Sequence, residues 1–145
     1  MLSRGLFSIS ICAALLLPAF GHHSTAMFDR NNPVTLIGTV KAFEWTNPHS
    51  HLVLVANEVR NRKGERENSQ QEEWRVELHS TAILLRRGWT KTFFKPGDTI
   101  TVNGGRMLDG SKMMRLDDGV KADGSKFYGD DFRPETTGNN LPDQK

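Results

Sequence analysis

Residues 73–102, EWRVELHSTAILLRRGWTKTFFKPGDTITV, hold a strand, a helix and a second strand in direct succession. Trp74, Val76 and Leu78 alternate with Arg75, Glu77 and His79, the period of two expected where one face of a strand is buried. Ser80 is placed to act as an N-cap, and Thr81 to Arg87 reads as a two-turn helix with Ile83, Leu84 and Leu85 close together. Gly88 is suited to end it, and Trp89 to cap the core beside it. Lys95-Pro96-Gly97-Asp98 carries the Pro-Gly pair of a type II turn and leads into the alternating strand Thr99 to Val102.

Upstream, Val34 to Trp45 is rich in β-branched and aromatic residues and starts after the turn-like Asn31-Asn32-Pro33, which gives a first strand. Gly38 within it suggests a bulge or bend. A second strand runs from His51 to Asn57 after the Asn47-Pro48 break, and Leu52 to Val55, apolar on both parities, is expected to be covered on both faces. Glu58 to Glu73 is polar and charged, and reads as a long hairpin loop into the strand ending at Leu78. Downstream, Asp109-Gly110 and Asp123-Gly124 are turn signals bracketing a fifth strand around Lys112 to Leu116, with a short sixth near Lys126 to Tyr128. The order β-β-β-α-β-β, mostly β with one short helix, is that of a small OB-like antiparallel barrel, a closure that also removes exposed strand edges.

The two ends differ from this domain. Arg4 and the apolar run Leu6 to Leu17 form the n- and h-regions of a secretory signal peptide. Pro18 breaks the run, and Ala19 and Gly21 place small residues at the −3 and −1 positions for cleavage before His22. The apolar run is too short for a retained membrane anchor. The chain is therefore expected to be periplasmic or secreted, with a signal peptide at 1–21, an OB-like domain at 22–129 and a Pro- and Asn-containing disordered tail at 130–145. Cys12, the one cysteine, lies in the h-region after Ile11, where a lipoprotein signal would need a small residue, so the mature chain offers no thiol chemistry. Removing 21 of 145 residues leaves 124, and 19 basic against 17 acidic groups becomes 18 against 17 because only Arg4 is lost. That balance gives no electrostatic reason to expect a polyanion.

The strings His22-His23-Ser24-Thr25-Ala26-Met27-Phe28-Asp29, Val34 to Val40, Trp45-Thr46-Asn47-Pro48-His49, Leu85-Arg86-Arg87-Gly88-Trp89 and Lys95-Pro96-Gly97-Asp98 together resemble the bacterial exported family of unknown function DUF6152. The resemblance spans nearly all of the mature domain. It implies a small β domain in the cell envelope and carries no activity or substrate. Two departures stand out: Thr81 in place of a proline after Ser80, and the length of the charged loop 58–73.

Four of the five histidines form two pairs, His22-His23 at the expected new terminus and His49-Ser50-His51 at the entry to the second strand. On an extended chain residues i and i+2 face one side, so His49 and His51 are placed to offer nitrogens to one ion. A terminal His22 adds an amine to its imidazole, and cleavage after Ala19 instead would leave a histidine at the third position; both nitrogen-rich arrangements suit Cu(II). His22, His23, His49 and His51 are thus the candidate metal ligands, with copper the favoured ion. The competing reading is a structural or interaction module that binds a protein or small ligand on the barrel face without metal. His79, beside Ser80, reads as structural.

Enzymatic chemistry is disfavoured. The adjacent carboxylates Asp117-Asp118 and Asp130-Asp131 face opposite ways on a strand or sit by turns, and no phosphate loop, nucleophile elbow or His-Glu-x-x-His helix is present. Arg60, Arg62, Lys63 and Arg66 are interleaved with Glu58, Glu65 and Glu67, the pattern of a solvated loop rather than a nucleic-acid groove. Phe43, Trp45, Trp74, Trp89, Phe93 and Phe94 are expected to pack the core and its rim. Met107, Met113 and Met114 have an irregular spacing that favours packing over Cu(I) ligation.

Overall fold

The computed structural model describes residues 25–68 and 70–129. The expected signal peptide, His22, His23 and the C-terminal tail lie outside the described residues.

A 3₁₀ turn, Thr25–Met27, leads into β1, Phe28–Glu44, followed by β2, His51–Arg60; β3, Glu72–Glu77; α1, Thr81–Arg86; β4, Thr99–Met107; β5, Met113–Lys121; and β6, Lys126–Tyr128. The protein is mostly β, with one short helix between the third and fourth strands. β1 pairs antiparallel with both β2 and β4, β2 with β3, and β4 with β5. β3 meets β5 in a short parallel contact, so the hydrogen bonding of five strands runs β1-β2-β3-β5-β4 and returns to β1. This ring is compatible with the expected OB-like barrel; β6 is a short addition to β5.

Alternation along the strands fills the ring. Leu36, Val40, Leu52, Leu54, Trp74, Val76, Ile100, Val102, Met114 and Leu116 are all buried in one cluster. Leu84 of α1 belongs to the same cluster, as do Trp89, Phe94 and Phe127, whose rings meet edge to face. Trp89 and Phe93 stack with centroids 4.3 Å apart, and Lys121 Nζ lies 4.0 Å from the Phe93 centroid. These rings pack against one another, as their composition suggests.

β1 serves two neighbours at once, which requires it to bend. Its register with β2 slips between Ile37 and Gly38, where a bulge was expected. A Cβ at Gly38 would stand 2.2 Å from the Val55 carbonyl oxygen and 2.8 Å from Ala56 Cα, so only glycine allows the two backbones to approach. Gly97 has φ +94°, the left-handed value required at the third position of a type II turn, and Asp98 N donates to Lys95 O at 3.1 Å.

Several boundaries differ from the sequence reading. β1 begins at Phe28 rather than Val34, because Asp29 accepts hydrogen bonds from the Asn31 and Asn32 amides and folds residues 29–33 into a bulge inside the strand. β2 continues to Arg60, shortening the charged loop. The buried Asn68 side chain stands in for a neighbouring strand there, accepting from Val59 N at 2.8 Å and donating to Gln70 O at 2.8 Å. β4 runs on through Gly104 and Gly105, and β5 runs through Asp117-Asp118 to Lys121, with Asn103 Nδ2 donating to Asp118 Oδ1 at 2.7 Å. In β2, Leu52 and Leu54 are buried while Val53 and Val55 are only half-buried, since the outer face carries no second layer. Ser80 makes no side-chain cap; Asn47 Oδ1 accepts from both the Thr81 amide, at 3.1 Å, and the Thr81 hydroxyl, at 3.0 Å.

Gly38→Ala is expected to lower stability by about 1–3 kcal/mol through backbone overpacking. Urea denaturation followed by tryptophan fluorescence measures this; a midpoint equal to wild type would mean that β1 and β2 separate freely at the bulge.

Candidate functional site

The loop 45–50 joins β1 to β2 and is tied down at both ends. Thr46 Oγ1 donates to His49 O at 3.0 Å, and the fully buried Ser50 donates its hydroxyl to Thr46 O at 3.1 Å. Ser50 N donates to His79 O at 3.0 Å and Leu78 N to Ser50 O at 2.9 Å, so the β2–β3 pairing continues into the loop. The Asn47–Pro48 peptide is cis.

This framework sets His49. Its Nδ1 lies 3.1 Å from the Leu78 carbonyl oxygen, which can only accept, so Nδ1 carries a proton and Nε2 is the nitrogen that offers a lone pair in the neutral ring. Behind the same nitrogen stands Glu77 Oε1, at 3.7 Å. His51 begins β2, opposite Glu44 of β1 on one side and Glu77 of β3 on the other. Glu77 in turn faces Arg115 of β5, whose Nη1 donates to Glu77 Oε1 at 3.3 Å. A polar row, Glu44–His51–Glu77–Arg115, therefore crosses four strands. Directly opposed residues share a face, which puts this row on the outside of the ring. Glu77 is nevertheless only 2% exposed. Arg75 Nη2, next along that face of β3, bonds Glu44 Oε2.

His51 differs from its neighbours. Its Nδ1 is buried without a hydrogen-bond partner among the described residues, with Glu44 Oε2 4.0 Å away. Burial holds its imidazole below the ordinary histidine pKa, the Arg75 charge pushes the same way, Glu44 opposes, and His49 adds a smaller lowering. Burial therefore favours the neutral ring, which keeps a lone pair on one of its two nitrogens.

Of the four candidate ligands, the structure brings His49 and His51 near enough for His49 to add to the lowering of the His51 pKa. His22 and His23 precede the start of β1 in the sequence, while His49 and His51 follow its end, so residues 24–48, which include all of β1, separate the two pairs along the chain. Among the described residues no three His, Cys, Asp or Glu side chains gather closely enough to hold a metal ion. The His79 carbonyl accepts from Ser50 N in the loop framework. Glu44, Arg75, Glu77 and Arg115 were not marked by the sequence. Alternation puts Arg75 and Glu77 on one face of β3, but only the strand register shows that Glu44 and Arg115 lie beside them.

Elsewhere, Arg60 bonds Glu58 at 2.8 Å, Arg66 donates to Asn68 O and Asn57 O, Arg62 donates to Asn31 O of β1 at 3.0 Å, and Arg106 of β4 bonds Glu67. A groove of about 640 Å³ lies between the β1 bulge and this hairpin, lined among others by Asn32, Pro33, Arg62, Lys63 and Arg106. Among the described residues no helix is long and apolar enough to cross a membrane.

The model of a family of unknown function, DUF6152, matches residues 10–115. No curated protein and no solved structure is significantly similar to the chain.

Because His51 resists its proton in the folded state and accepts it freely when unfolded, its contribution is fully present above the unfolded histidine pKa and is lost as pH falls below it. Stability should therefore drop from pH 7.5 to pH 5.5 by more in wild type than in His51→Gln. Urea midpoints at the two pH values compare them; identical pH dependence would show that His51 titrates as a solvent histidine does.

Proposed function

The chain belongs to the DUF6152 family, whose function is unknown, and from that premise we propose that it is an exported small binding module that takes up a metal ion, copper by ligand type, through its paired histidines. The observation that carries this reading is the Leu78 carbonyl on His49 Nδ1. A hydrogen bond from one imidazole nitrogen to a backbone carbonyl or carboxylate is the arrangement that orients a ligating histidine and fixes its tautomer. His51 supports it by being neutral, and two imidazoles suit Cu(II). Two protein donors do not complete a coordination sphere; water, or His22 and His23 of the processed terminus, supplies the rest.

Export rests on the n-region, apolar run and small-residue cleavage site of residues 1–21. It places the module in the periplasm or outside the cell. The competing reading, an interaction module that binds a protein or small ligand without metal, draws on the groove beside Arg62 and Lys63, whose volume falls in the range of small-molecule sites.

Protein exported and processed by a bacterial host should begin at His22 by mass spectrometry, and should bind Cu(II) stoichiometrically in calorimetry, with a nitrogen-rich EPR signal. His49→Ala and His51→Ala should each weaken binding by about tenfold or more without unfolding the protein. Loss in His22→Ala as well would join the two pairs in one site. Absence of binding at micromolar copper would remove the metal reading and turn attention to the groove.

A further inference from the structure

We infer that His51 Nδ1 and the Glu44 carboxylate form a cation-binding pair across β1 and β2, in which the Arg75 guanidinium holds the place of a divalent metal ion until one binds. This rests on the reading of the site as a metal site. It adds a carboxylate ligand and an internal competitor that the histidine motif does not contain.

Three observations meet at one point. His51 Nδ1 is shut off from solvent and has no hydrogen-bond partner among the described residues. It faces Glu44 Oε2 across 4.0 Å, beyond hydrogen-bonding range. A late first-row metal bonds imidazole nitrogen or carboxylate oxygen at about 2.0–2.2 Å, so this gap admits an ion between the two atoms with the donors opposite each other across it, and a bent arrangement requires the carboxylate to move toward the ring. The same Oε2 is already bonded to a cation, Arg75 Nη2. A guanidinium has only donors, so it satisfies the carboxylate; a metal ion between the two atoms would satisfy both the carboxylate and the unpartnered nitrogen.

The surrounding charges assign separate roles. Glu77 of β3 is engaged by Arg115 of β5 and backed by His49 of the loop, so it serves to orient those groups. Lys41 of β1 is bonded to Glu73 of β3, at 2.6 Å, on the exposed part of the face. Glu44 is the carboxylate that lies nearest the unpartnered His51 Nδ1. An imidazole and a carboxylate suit Cu(II) or Zn(II) rather than Ca(II) or Mg(II), which take oxygen ligands.

The test is titration of Cu(II) alone into the processed full-length protein at pH 7, in wild type and in Glu44→Gln, Arg75→Gln, His51→Ala and, as a charge control, Glu73→Gln, each checked by circular dichroism. Glu44→Gln is expected to weaken binding by at least about tenfold. Arg75→Gln should tighten it several-fold, since the competitor is gone, and Glu73→Gln should bind as wild type does. Should Glu44→Gln fail to fold, the Arg75→Gln result alone decides: tighter binding supports the pair, and unchanged or weaker binding overturns it. Copper binding that is lost in His51→Ala yet intact in Glu44→Gln would overturn the pair and leave the histidine reading standing. Equal weakening in Glu44→Gln and Glu73→Gln would overturn it too, as the signature of a general field. A wild-type protein that binds no Cu(II) would overturn both.

Discussion

The ring of strands is held shut by three parallel residue pairs between β3 and β5, Arg75–Met113, Val76–Met114 and Glu77–Arg115, extended by Arg75 N donating to Lys112 O at 2.9 Å. The antiparallel contacts β1–β2, β2–β3 and β4–β5 join elements adjacent in sequence, and the long bent β1 also reaches β4. Without the β3–β5 contact, β3 and the Met113–Arg115 end of β5, beyond its pairing with β6, would be open edges and the sheet a curled ribbon. Closure sets what lies inside and outside. Val76 and Met114 become fully buried, while on the outer face the carboxylate of Glu77 is brought against the guanidinium of Arg115.

Burying Glu77 at this seam removes a charge from water, a cost that is offset only when the charge is well paired. Arg115, whose side chain is 11% exposed, supplies the countercharge, and the imidazole of His49 lies 3.7 Å from the same carboxylate oxygen. The acids of the row are thus satisfied: Glu44 by Arg75, Glu77 by Arg115. The bases are not equally satisfied. His49 spends its proton on a carbonyl, and His51, opposite two acids by register, has a buried nitrogen with no partner among the described residues. Spare capacity for binding therefore lies in the imidazoles, on a face whose carboxylates are already fixed in place.

The same loop that presents His49 also starts the helix. Asn47 Oδ1 takes the first amide and hydroxyl of α1, two residues before His49, and Ser50 ties the other end of the loop to the end of β3. Helix start, loop and histidine form one hydrogen-bonded unit at the mouth of the ring. Ser80 contributes to it through its backbone, accepting from Ile83 and Leu84, rather than through its hydroxyl. A cap supplied from 34 residues upstream is invisible to a reading that looks for it at the adjoining position.

That contrast marks how far the sequence could be read. Element type and order followed from local chemistry: alternation in β3 and β4, the Pro-Gly turn at Gly97, the bulge at Gly38, and the apolar run of α1. Where boundaries were missed, at Phe28, Arg60 and Lys121, a neighbouring strand or a side chain such as Asn68 or Asp29 carried the extended chain through residues whose local preference is for turns. For the site, the period of a strand was enough to pair His49 with His51, because both belong to one short segment. It was not enough to find Glu44 or Arg115, since the proximity of groups on different strands depends on register, and a slip of one residue would turn the carboxylates to the other face. The register was imposed by the bulges in β1 and by closure of β3 on β5, both tertiary events. What remains unexplained by packing is the position of His51: a strand-initial residue on an outer face could have been any solvent-tolerant side chain, yet an imidazole is held there with one nitrogen buried against an acid that is already shared with Arg75. An arrangement that leaves a polar atom unmet adds nothing to folding stability. It is therefore the part of the fold whose account is most naturally sought in binding.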